Sequence, residues 1–390
     1  MTALFDLIVD SAPGEIRAAL MRGETLVELL VLRRTDPPRR GDVYLGRVTT
    51  IEKGLNAAFV DIGDGRPGFL PLSAKLRGMA EGAAVPVAIT AEAVGTKGPR
   101  LAFAPAYGDA RPATAPVCLV HESDLIAASL RELGKFNFDR VIADNPACFA
   151  QLRASLRKFI PDSENRLELH SGSQSAFEKF GIEEQIERAI VSSLVLDSGI
   201  ELHVGELEAL TAIDVDIASY APRSKNTGAL GANLAASPEI ARQIRLRNLS
   251  GLVLVDFPRM NNPQARKRLL ESFTDILKQD SVPVHVHGFT RTGLLEITRE
   301  RQRRPLSAIL LETAAAPRKN AETVAREILR AALRTSPRGD LTISASPEII
   351  AWFEGEGRAD CVAAESALRV SLRLQSQPGL KRDRFEIVGT

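Results

Sequence analysis

GDVYLGRVTTIEKGLNAAFVDIGDGRPGFLPL, residues 41–72, decides the fold. It holds short runs of β-branched and aromatic residues, cut by glycine-rich turns. With AVPVAITAEA and PRLAFAP further on, it gives five short strands between residue 41 and about residue 104. Strands this short, spaced by glycine turns, predict a small barrel of the OB type. Phe59 and Phe69 stand among the glycines and basic residues of this segment. On such a barrel they are placed either to stack on bases, at roughly 1–3 kcal/mol each, or to fill the core. Arg47, Arg66 and Lys97 are the barrel cations expected to meet phosphates.

On either side of the barrel the pattern changes. Upstream, residues 4–32 alternate as strands with Gly14 and Gly23 at the turns, which predicts a meander. Downstream, after the Pro/Ala-rich stretch 104–116, strand and helix patterns alternate: VCLVHES, DLIAASLRELG, FDRVIADNP, PACFAQLRASLRKF, NRLELHSG, IEEQIERAIVSS. That alternation predicts an α/β layer. Helices are expected at about 237–248 and 263–279, with Ser237–Pro238 and Asn262–Pro263 as N-cap and first helical position. A second linker, LETAAAPRKN, precedes a βα-type tail from about residue 321.

Of the 390 residues, 44% are apolar and 25% charged, the balance of a soluble globular chain. No run approaches the roughly 20 apolar residues of a membrane span, and Asp6 breaks any secretory signal pattern. A net charge of +1 excludes a globally basic nucleic-acid binder, so any RNA contact must come from local patches. Cys118, Cys148 and Cys361 lie far apart, which fits a reducing cytoplasm and gives no disulfide framework.

Two acidic motifs carry the chemistry. EALTAIDVD ends in Asp214 and Asp216, and LRNLSGLVLVDFPRM carries Asp256. Each is an apolar, strand-like run that delivers a carboxylate near its end. Asp214 and Asp216 are two residues apart on an extended segment, so they share a face. Desolvating a lone carboxylate is costly. Magnesium, bound through one or two carboxylates plus water and phosphate oxygens, removes that cost. The bland reading makes them turn or cap residues paired with Arg242, Arg245 or Arg259. Arg242 and Arg291 are expected to touch phosphate, while Arg303 and Arg304 read as a solvated face. His285 and His287 alternate on one strand without further zinc ligands.

The barrel segment, the two acidic motifs, NLAASPEIARQIRLRN and TRTGLLEITRER together resemble the ribonuclease E/G family, in the family's order and at near-identical spacing. VHESDLIAASLRELGKFNFDRVIADNP is similar to its ribonuclease-H-like subdomain. The resemblance implies a multidomain chain of α+β and α/β character. Its parts would be a ribonuclease-H-like subdomain (1–36, continued at 109–195) interrupted by an OB-fold barrel (37–108), a metal-binding α/β nuclease subdomain (196–315) and a small α/β C-terminal domain (316–390).

It also implies a magnesium-dependent endoribonuclease, with manganese as an alternative ion, that cuts single-stranded RNA to 5′-phosphate and 3′-hydroxyl ends. The substrates would be messenger or ribosomal RNA precursors. Asp214 and Asp256 match the metal ligands, and Asp216 stands where the family has a supporting asparagine. Phe59, Phe69 and Lys97 match barrel residues near the substrate. The short stretch before VCLVHES implies loss of the family's sensor for 5′-monophosphate ends. The absence of a CxxC pair after RERQRRPL implies a monomer or dimer without structural zinc, not a zinc-linked tetramer. The alternative is a non-catalytic RNA-binding factor that keeps the barrel.

Overall fold

In the computed structural model, the described residues are 4–73, 76, 78–107, 114–217, 219, 228–312, 318–335, 337 and 339–389. The two stretches read as linkers, 104–116 and 311–320, lie partly outside them. The chain divides into two compact units. One comprises residues 1–36, 123–190 and 307–390; the other comprises 37–122 and 191–306. The described residues form a mixed α+β structure with a closed five-stranded barrel and three further sheets. Among the described residues no helix is long and apolar enough to cross a membrane.

In the first unit, Leu4–Ala12, Glu15–Arg22 and Thr25–Arg33 form the expected meander. The sheet extends through Asn137–Ala143, parallel to Leu4–Ala12, and then Leu167–Leu169. Helices Leu125–Leu133 and Pro146–Phe159 cover it with Ile126, Leu130, Leu152 and Leu156. The smaller sheet of this unit sets Leu341–Ala345 between Leu372–Ser376 and Glu386–Gly389. Helices Ala321–Arg334, Pro347–Glu354 and Arg358–Leu368 pack on it. Gly14, at φ +71°, turns the first hairpin, and a Cβ there would run into the Asp360 carboxylate. Only glycine meets both demands.

In the second unit the barrel strands are Val43–Glu52, Ala57–Asp61, Gly68–Pro71, Ala84–Ala91 and Arg100–Phe103. The first pairs with both the second and the fourth, and the third meets the fifth through Phe69 and Arg100, so the sheet closes. Val48, Ala58, Val60, Leu70, Val87 and Leu101 fill its interior. Gly46 lies against Val60, where a side chain would not fit. The strand Val117–Val120, read from sequence as the start of the α/β layer, pairs instead with Val43–Leu45 as an added barrel strand. Val43–Leu45 pairs with Pro86–Ala88 inside the barrel on one edge, which leaves its other edge free to take this added strand.

The other sheet of this unit has the strand order Ser193–Val195, Glu201–Glu206, Thr211–Asp216, Gly251–Asp256, Leu295–Arg299, Val284–Phe289. Only the central pair, Thr211–Asp216 with Gly251–Asp256, is parallel. Helix Gly228–Leu246 supplies the crossover that a parallel pair requires. Helix Pro263–Leu277 starts at the expected Asn262 cap, whose side chain accepts from the Gln264 N–H. The Ser237–Pro238 cap is corrected. Both residues lie inside helix Gly228–Leu246, and the Ser237 hydroxyl donates to the Asn233 carbonyl at 2.7 Å. Ile240, Ala241 and Ile244 then pack under the sheet against Ile213, Val215, Val253 and Val255.

Candidate active site

The two central strands place the carboxylates. Along Thr211–Asp216 burial alternates strictly: Thr211, Ile213 and Val215 face the helices, while Ala212, Asp214 and Asp216 are exposed on the open face. Val253 and Val255 set the same phase in the neighbouring strand, which leaves Asp256 exposed at its end. The parallel register pairs Asp214 directly with Asp256. Their Cα atoms are thus separated by one inter-strand spacing, roughly 4.8 Å, at the carboxyl ends of parallel strands joined by a helix. Open α/β sheets bind ligands at such ends. Among the described residues, no hydrogen bond or ion pair engages either carboxylate. Like charges side by side repel by roughly 1 kcal/mol even in water, and a dication converts that repulsion into binding.

The donor set suits a hard cation. Two carboxylates with open space around them match magnesium or manganese, which take their remaining ligands from water and phosphate oxygens. Among the described residues no group of three or more His, Cys, Asp or Glu is arranged to hold a metal ion, so an ion at Asp214 and Asp256 would take most of its ligands from water and substrate oxygens. Asp216 sits two residues beyond Asp214 on the same face, opposite Glu201 on the neighbouring strand Glu201–Glu206. His203 is the cross-strand partner of Asp214 on that strand, its Nε2 3.7 Å from Glu201. No sequence motif announces His203. It enters the row His203–Asp214–Asp256 only through the antiparallel register.

The barrel residues divide into exposed and tied. Phe59 and Phe69 alternate with buried neighbours, so they stand on the barrel's outside rather than in its core. They face each other across paired strands, edge to face at 6.0 Å. Lys97 is exposed in a tight turn bridged to Val94. Arg47 donates to the carbonyls of Ala115 and Gly82, and Arg66 to that of Gly95, so both guanidiniums are partly committed to barrel loops.

The remaining cations also separate. Arg291 is exposed in the hairpin turn 290–294, which runs into the strand residue Leu295 paired with Val255. It therefore lies at the same end of the sheet as Asp256. Arg242 is not brought there. It belongs to the helix packed under the buried face, and its Nε and Nη2 each donate to Glu239 at 2.7 Å. His285 lies opposite Thr298, and His287 contacts the Thr298 hydroxyl at 2.8 Å.

The comparisons agree with this architecture. A sequence model of the Ribonuclease E/G family matches residues 106–302, and the chain belongs to that family. It is similar to the ribonuclease G of Salmonella typhimurium (strain SL1344) and of Escherichia coli (strain K12), 26% identical to each over the whole of both chains. It is 28% identical to ribonuclease E of Haemophilus influenzae, over 76% of this chain and 41% of that protein. The ribonuclease G alignments span 489 positions against 390 residues here, so those relatives carry segments that this chain lacks.

Proposed function

We propose that this chain is a magnesium-dependent endoribonuclease that cleaves single-stranded RNA to 5′-phosphate and 3′-hydroxyl products. The observation that carries the reading is the register pair Asp214–Asp256 on the open sheet face. These two carboxylates would hold the ion, with manganese able to replace magnesium. The bound ion supplies Lewis acidity toward a phosphoryl oxygen and a nucleophile at neutral pH. Asp214 and Asp256 fix where the scissile phosphate lies. Asp216 adds negative charge beside them. Arg291, at the same end of the sheet, is placed to meet a neighbouring phosphate. Phe59 and Phe69 offer a half-buried aromatic pair on the barrel's outside for bases to stack on, with Lys97, Arg47 and Arg66 along the backbone.

The remaining features follow from the same family reading. The short connection between Phe103 and Val117 leaves little chain for a 5′-end sensor. Cleavage should therefore not depend on whether the substrate begins with one phosphate, three or a hydroxyl. The three cysteines are free and scattered, consistent with a cytoplasmic enzyme, monomeric or dimeric, acting on messenger or ribosomal RNA precursors. The test is cleavage of a short single-stranded oligonucleotide with and without magnesium, for each 5′-end chemistry. Metal-dependent cutting at equal rates is expected. Binding without cutting would make the protein an RNA-binding factor instead, and a strong monophosphate preference would overturn the sensor reading alone.

A further inference from the structure

Four arginines stand within residues 299–304, and their surroundings differ. Arg299 is buried against Asp280 and Asn248, at 2.9 and 2.8 Å. Arg304 lies near Glu92, and Arg303 has contacts of its own. Arg301 has no hydrogen-bond or ion-pair partner among the described residues, although its Nε is buried. A buried N–H of a cation left without an acceptor keeps its desolvation cost uncompensated, so this atom calls for an acceptor. Arg301 lines a cavity of about 120 Å³ together with Lys97, Ser250 and the turn 206–211. That is ample room for waters or one phosphate group.

Building on the ribonuclease reading, we propose that this cavity is a seat for a backbone phosphate of the RNA strand. Arg301 and Lys97 would supply the charge and Ser250 a hydroxyl. The seat lies at the amino ends of the two parallel strands, beside Thr211 and Ser250. The candidate metal ligands lie at their carboxyl ends. The separation is three residues along one strand and six along the other, roughly 10–20 Å at about 3.3 Å per residue. That corresponds to about three to six nucleotides of stacked strand. Glu206 and Glu208 also line the cavity. Glu208 accepts from the Thr96 hydroxyl, and Glu206 lies in the field of the buried Arg247. Their charge disfavours free anions, so the seat fills only when the rest of the strand is already held and its effective concentration is high.

The test measures binding of single-stranded oligonucleotides in EDTA, where no cleavage occurs. Each carries one uncharged methylphosphonate linkage, moved along the strand. For the wild-type chain, one linkage position is expected to weaken binding about tenfold. In Arg301→Gln that position-specific loss disappears, overall affinity is about tenfold lower, and the salt slope falls by about 0.7. Arg301→Lys, which keeps the charge, should recover part of the affinity. Thermal melting checks that both variants are folded. Wild-type affinity in Arg301→Gln, or a wild-type loss spread evenly over every linkage, overturns the seat. A wild-type chain that shows the linkage-specific loss yet does not cut RNA in magnesium overturns the nuclease reading and leaves the seat standing.

Discussion

Both units set two carboxylates near the ends of neighbouring parallel strands, and they treat them in opposite ways. In the first unit, Asp10 lies near the end of Leu4–Ala12, and Asp144 directly follows its parallel neighbour Asn137–Ala143. Asp10 is 2% exposed and bound by Arg17, with Arg330 at 3.7 Å; Asp144 is bound by Arg334 at 2.9 Å. The network continues through Glu15, which is held by both Arg33 and Arg330. In the second unit, no arginine among the described residues binds Asp214 or Asp256, and both side chains are exposed. One pair is neutralised by arginines, and the other is the pair proposed above to hold an ion. Acidic residues at strand ends thus do not mark a metal site by themselves; what matters is whether the fold brings arginines to them.

The contrast can be broken at its strong points first. Asp214→Asn or Asp256→Asn should lower magnesium-dependent cleavage at least about a thousandfold, since a metal contributes several kcal/mol to the transition state. Thermal stability should move by less than about 0.5 kcal/mol, because both side chains are exposed and have no partner among the described residues. Denaturant unfolding beside a cleavage assay reads both effects. Arg330→Ala should do the reverse. It leaves Asp10 and Glu15 buried with less compensation, and unfolding measurements should show a loss of about 3–5 kcal/mol.

The same network fixes a pH dependence. Burial pushes the Asp10 and Glu15 carboxyls up, but Arg17, Arg33 and Arg330 pull them further down, and the net direction is down for both. Carboxyls depressed in the folded state add stability above their unfolded values, 3.8 and 4.5, and lose it as pH falls toward the folded ones. Melting of the first unit should therefore hold steady from neutral pH to about pH 5 and decline below that. A decline beginning near neutrality would contradict the assignment.

A smaller effect sharpens the functional half of the comparison. Phe59→Ala or Phe69→Ala should weaken oligonucleotide binding by about 1–3 kcal/mol each. Because the two rings touch, the double variant should lose less than the sum. Fluorescence anisotropy in the absence of metal measures both terms.

The barrel was legible because glycine turns punctuate short β-branched runs, and those signals are local. Asp214 and Asp256 were legible as strand ends, and the alternation in TAIDVD already put Asp214 and Asp216 on one face. Their adjacency was not, since it depends on a register between strands separated by a helix. His203 was invisible for the same reason. The helix start was misread because Ser237–Pro238 imitates a cap. Inside helix Gly228–Leu246 the serine hydroxyl satisfies the Asn233 carbonyl instead. The arginines at 299–304 look uniform in sequence. Distant partners, Asp280 and Glu92, set two of them apart from Arg301. Likewise Arg242 looked free beside the acidic motifs, yet Glu239, one helical turn away, engages it.

The most direct test is a titration of Mn²⁺ followed by electron paramagnetic resonance, on the wild-type chain and on Asp214→Asn and Asp256→Asn. A single class of bound ion in the wild type that is lost in both variants is the predicted result. Equal binding in all three proteins would contradict the claim that these neighbouring carboxylates form the metal site.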